Sequence, residues 1–156
     1  MATLRDPDPT VRAVAAGALG EFNDLRAGPA LIAALVDLDA NVRSMAARAL
    51  GHLRDVRALE PLMALLRDPD AFVRAEAAKA LGAMGDPRAL DPLREALRDQ
   101  QPYVRTIAVE AMQHISSDAS TLSTSLEAWR QRHRDPELSQ SSASADPAAS
   151  SSGERL

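Results

Sequence analysis

The chain has 156 residues, enough for one domain; 26% of them are charged and 3% aromatic. A formal net charge of −4 does not supply the concentrated basic stripe that a phosphate backbone requires, and the absence of cysteine excludes disulfides, thiolate metal sites and cysteine nucleophiles. The opening MATLRDPDPT has no basic start followed by an apolar run, and no stretch approaches the ~20 apolar residues of a membrane span, so a cytoplasmic protein is expected.

A shift of 31 residues lays the sequence on itself without a gap. Leu4, Leu35, Leu66 and Leu97 fall in register, as do Val11-Arg12, Val42-Arg43, Val73-Arg74 and Val104-Arg105. A fixed period of this size marks supersecondary units stacked side by side. The expected fold is all-α: an α-solenoid, or superhelix, of about four two-helix repeats at approximately 4–34, 35–65, 66–96 and 97–134, with a tail at 135–156.

The first copy begins abruptly. Its first helix, about Pro9 to Phe22, carries Val11, Ala15, Ala18, Leu19 and Phe22, the same apolar pattern as internal copies, where an end repeat normally needs a polar outer face. Two readings stay open: upstream repeats are missing, or this end packs on another chain, self-association included. Asp8, Asp39 and Asp70 are placed to cap successive first helices through their carboxylates.

The second and third copies are the most regular. Val73, Ala77, Ala80, Leu81 and Met84 recur at spacings of three and four, the signature of an amphipathic helix, with Arg74, Glu76 and Lys79 elsewhere on its surface. Gly85-Asp86 stops that helix, and a shorter one follows with Leu90, Leu93 and Leu97 on one side and Pro61 or Pro92 in its first turn. Gly20, Gly51 and Gly82 lie inside helices, which is best explained by a neighbouring backbone coming near. Asp37, Asp68 and Asp99 precede Arg43, Arg74 and Arg105 by six residues in every copy, which predicts a structural ladder of charge-assisted hydrogen bonds along the repeat junctions.

The fourth copy drifts after His114. Ser116-Ser117-Asp118 replaces the glycine and aspartate turn, and Leu122, Leu126 and Trp129 at helical spacing form a divergent closing helix, with Trp129 expected to cover the open end of the core. From Asp135 onward the composition turns to serine, alanine, glutamine and proline, and a tail with no apolar periodicity is expected to be disordered.

The combination D-P-x-x-x-V-R, A-x-x-A-L-G and G-D-x-R-A-L-x-P-L, as it stands from Asp68 to Leu93, resembles the HEAT-like repeats of the phycobilisome-lyase type, and the resemblance covers residues 4 to about 115. It implies that first helices form a convex side and second helices a concave one where partners dock. On that orientation the outward positions are Arg26, Pro29 and Ala33 in the first copy, Arg57, Glu60, Ala64 and Arg67 in the second, and Arg88, Asp91, Glu95 and Arg98 in the third.

The expected function is a non-enzymatic scaffold for another protein, with no cofactor and no metal. His52 is followed by Leu53 and His114 by Ile115, so the His-Glu pairs with which HEAT-repeat deoxyhypusine hydroxylases hold iron are absent. No G-x-S-x-G, P-loop or H-E-x-x-H run occurs, and the carboxylates recur as capping residues do. The resemblance carries one alternative, a bilin lyase-type subunit assisting chromophore attachment to a phycobiliprotein. The basic run Arg130-Gln131-Arg132-His133-Arg134 carries another, weak nucleic-acid binding, set against the ordinary preference of cations for a helix C-terminus.

Overall fold

A computed structural model describes the backbone of residues 2–132, with side chains from Thr3 to Ser120 and at Ser123, Glu127 and Gln131. Among these residues every regular element is helical. The α-helices are α1 (Pro9–Glu21), α2 (Gly28–Ala34), α3 (Ala40–Leu53), α4 (Leu59–Leu65), α5 (Ala71–Met84), α6 (Leu90–Ala96) and α7 (Pro102–Arg132). By contacts the chain divides into two compact units, Met1–Thr121 and Leu122–Leu156. The first unit is an α-solenoid: α1 packs on α3 and α3 on α5, while α2 and α4 each pack on the next first helix.

Local chemistry sets the helix ends. Asp8 accepts from the Thr10 amide at 2.8 Å, Asp39 from Asn41 at 2.9 Å and Asp70 from Phe72 at 2.8 Å, so amides of the first turn that lack a helical partner are satisfied as predicted. Gly85 ends α5 in the left-handed region at φ +70°. Asn23 and Arg54 hold that place in the earlier copies at φ 49° and 48°, where a Cβ is costly. Each second helix opens with a 3₁₀ turn capped by Asp24, Asp55 or Asp86, whose carboxylate accepts from the amide two residues on.

The core runs along the array as repeated sets. Leu31, Leu62 and Leu93 are wholly buried on the second helices, and so are Val42, Val73 and Val104 on the first. The glycine expectation holds: a Cβ on Gly20, Gly51 or Gly82 would stand 2.7, 2.7 or 2.8 Å from the Cα of Ala49, Ala80 or Ala111 in the next copy. Helices built of alanine approach this closely because neither side chain intervenes.

Two local expectations change. Glu76 is 3% exposed instead of lying on the surface, because it occupies the flank that Met45 and Ile107 occupy in neighbouring copies; Lys79 Nζ at 2.9 Å and Arg48 Nε at 3.5 Å neutralise it. The separate closing helix is also absent, since α7 continues from Pro102 through Arg132. Ser116 and Ser117 stand where glycine and aspartate would turn the chain, and the Ser117 hydroxyl donates to the Gln113 carbonyl four residues back, which keeps the helical path. The side chains of Leu122, Leu126 and Trp129, the basic run beyond Arg132 and the tail lie outside the described residues.

Candidate partner-binding face

Aspartates and arginines pair across the repeat junctions. Each aspartate takes its arginine from the preceding copy: Arg12 reaches Asp37, Arg43 reaches Asp68 and Arg74 reaches Asp99, always 25 residues on. Nε and Nη2 donate in parallel at 2.7–2.9 Å, and the remaining Nη1 donates to the carbonyl of the aspartate in the arginine's own copy, Asp6, Asp37 or Asp68. One guanidinium thus ties two loops together. Arg105 keeps the carbonyl contact to Asp99 at 2.7 Å but has no carboxylate partner among the described residues. Arg12 joins the ladder too, and Asp6 precedes it by the same six residues as in the later copies. Hydrogen bonds from Arg12 and Arg74 hold the Asp37 and Asp99 carboxyls below the usual carboxylate range.

All eleven predicted docking residues are exposed. Three of the arginines are nonetheless engaged inside the chain: Arg26 pairs with Asp24, Arg57 with Asp55 and Arg88 with Asp86. Those bonds hold the three aspartates below their ordinary pKa, with the guanidinium hydrogen bond the largest cause. Arg57 also donates to the Leu25 carbonyl at 3.0 Å, and its partner Asp55 is buried against Gly28, where a side chain would collide with both. It joins the first two copies and belongs to the scaffold.

Six of the others come together. Glu60, Ala64 and Arg67 from α4 and the turn after it face Asp91, Glu95 and Arg98 from α6 and its turn across an open groove of about 600 Å³. Met63, Ala64, Pro92 and Ala96 make its lining partly apolar, and Arg67 bridges it to Glu95 at 2.8 Å. Arg94 holds Asp91 from the flank at 2.6 Å, while Arg98 has no carboxylate partner among the described residues. The apolar lining residues missed in the sequence are Met63, Leu66, Pro92 and Ala96. Met63 lies one position before Ala64 and Pro92 one after Asp91, at the margin of the outward stripe, so allowing the stripe a wider arc would have included those two.

Pro29 and Ala33 occupy the corresponding face of α2, apart from that groove, with Val36 exposed where Arg67 and Arg98 stand in later copies. His52 and His114 sit on the first-helix side, His52 beside Glu21 and Arg48, His114 beside Glu110 and Asp118. No group of three metal-ligating side chains converges among the described residues. No helix among them is long and apolar enough to cross a membrane.

The sequence profile described as HEAT repeats matches residues 1–78, 28–113 and 60–145. Similar solved structures include a crystal structure of an engineered protein, with a TM-score of 0.59 and 26% identity over 74% of this chain. They also include the complex of CpcE and CpcF of phycocyanin lyase from Nostoc sp. PCC7120, with a TM-score of 0.51 and 26% identity over 74% of this chain. The chain spans 60% and 63% of those two chains, less than two thirds of either. No curated protein matches in sequence. Three overlapping matches that cover most of the chain, on a stack of helix pairs tied by a repeated ladder, place this protein in the HEAT-repeat family.

Proposed function

We propose that the protein is a non-enzymatic scaffold that binds another protein on its second-helix face, in and beside the groove between α4 and α6. The observation that carries this reading is the convergence there of Glu60, Asp91 and Glu95 with Arg67 and Arg98 around Met63, Ala64, Pro92 and Ala96. Acids and arginines alternating over an apolar floor orient a partner through charge and hold it through buried area. The likeness to a complex of two proteins supports a protein as the partner. Charge reversal by Arg67→Glu together with Arg98→Glu should reduce capture of the partner about tenfold or more in quantitative affinity capture, with thermal unfolding unchanged. Undiminished capture would remove the groove from the interface.

The likeness to phycocyanin lyase favours a second reading, a subunit assisting attachment of a bilin to a phycobiliprotein. It requires that the purified protein shift the visible absorbance of added bilin. An unshifted spectrum at saturating protein would end that reading while leaving the scaffold role intact.

A further inference from the structure

Every junction between neighbouring first helices in the first unit uses the same contacts. A glycine of one helix receives an alanine of the next, Gly20 with Ala49, Gly51 with Ala80 and Gly82 with Ala111. The incoming helix buries a valine completely, Val42, Val73 or Val104. The aspartate ahead of it takes an arginine from the preceding copy. α1 carries the incoming half of this set uncovered. Ala18, in register with Ala49, is exposed; Val11 is open to solvent, Val14 is 65% exposed and Phe22 78%. The carboxylate of Asp6, in register with Asp37, accepts the Asp8 amide at 2.9 Å and receives no guanidinium among the described residues, although the Asp6 carbonyl takes Arg12.

We propose that this face of α1 docks the terminal first helix of a second HEAT-type chain, one that offers a glycine to Ala18 and an arginine to Asp6. The surface continues, one step outward, the interface by which each repeat already holds the next. A carboxylate at its edge supplies the charge that selects the arginine, and an alanine without a covering neighbour selects a helix able to come as close as Gly20 does to Ala49. A different kind of partner, such as an extended peptide, would leave both features unused.

A second copy of this chain does not meet the requirement. In α7, Gln113 holds the place of Gly20, Gly51 and Gly82, so a long side chain stands where the incoming alanine must approach backbone. Since a single Cβ at those glycines already comes within 2.8 Å of the alanine Cα, glutamine there blocks head-to-tail stacking. The outermost first helices described are therefore unlike: α1 keeps the docking residues and α7 has lost the glycine.

The test places a photo-crosslinking amino acid at Glu21, an exposed position on α1 one turn from Ala18, in the full-length chain produced in its native host. The adduct should be a different chain made of helix-pair repeats, joined within about two helical turns of a helix-borne glycine. Ala18→Arg and Asp6→Arg should each lower its yield about tenfold or more. Arg67→Glu with Arg98→Glu should leave it unchanged, which separates this face from the groove between α4 and α6. Circular dichroism and melting of each variant verify that the fold persists. An adduct with a second copy, an intrachain crosslink, an adduct with a protein lacking such repeats, or no adduct at all would overturn the proposal. So would a yield indifferent to position 18.

Discussion

Arg43 and Asp68 stand 25 residues apart and meet in two parallel hydrogen bonds, at 2.7 and 2.9 Å, with side chains only 12% and 6% exposed. The same guanidinium donates to the carbonyls of Asp37 and Leu38, at 2.9 and 3.1 Å. Four acceptor contacts from two successive loops converge on one cation, and this arrangement repeats at Arg12 and Arg74.

Removing one partner of such a pair leaves the other desolvated and unpaired. Arg43→Ala should therefore cost about 3 kcal/mol in urea unfolding, and Arg43→Lys should recover little of it because an ammonium cannot make the parallel pair. Arg67 and Glu95 also meet at 2.8 Å, but at 80% and 67% exposure, so Arg67→Ala should cost about 0.5 kcal/mol or less. Equal losses at the two sites would show that the ladder contributes no more than a surface ion pair.

Gly51 and Gly17 should respond to alanine in opposite directions. A helix-interior glycine costs about 1 kcal/mol relative to alanine, so Gly17→Ala should stabilise the protein: its new methyl meets only the flexible end of Met45, which can swing aside. At Gly51 the obstacle is the Ala80 backbone, which cannot move without separating α3 from α5, so overpacking of about 1–3 kcal/mol outweighs the propensity gain. Melting temperatures of the two variants, measured together, decide the matter.

Arg54 is held at φ 48°, in the conformation Gly85 adopts one copy later, and it is exposed. Arg54→Gly should raise stability by about 1 kcal/mol, because the left-handed penalty disappears and exceeds the added freedom of glycine in the unfolded chain. A lower unfolding midpoint in this variant would mean that the arginine side chain makes a stabilising contact that outweighs the strain.

Acid should weaken the fold through the ladder. Hydrogen bonds from Arg12 and Arg74 depress the pKa of Asp37 and Asp99 in the folded state, so these groups bind protons less readily there than in the unfolded chain. Their contribution is fully present above the ordinary aspartate value near 3.9 and is lost as pH falls from there through the depressed values. In a double Arg12→Ala, Arg74→Ala variant, stability between about pH 5 and pH 2 should fall less steeply than in the wild type. An unchanged slope would assign the acid sensitivity to other carboxylates.

Much of this architecture is written in local chemistry. A carboxylate two or three residues ahead of a free amide caps a helix whatever lies around it, so Asp8, Asp39 and Asp70 could be assigned from spacing, and a 31-residue recurrence of Leu, Val and Gly imposes stacked helix pairs because no single pair can cover its own apolar stripe. The outward positions on the second helices, Glu60, Arg67, Glu95 and Arg98 among them, came from the resemblance to HEAT-like repeats, and these four residues are exposed. What tertiary structure alone decided is how far one copy is displaced against the next. That offset pairs Arg43 with Asp68 across the junction instead of with Asp37 in its own copy, buries Glu76 under Arg48, and turns Arg57 into a brace on Leu25. A period in sequence says that neighbours repeat; only the geometry of their packing says which side chains fall within 3 Å.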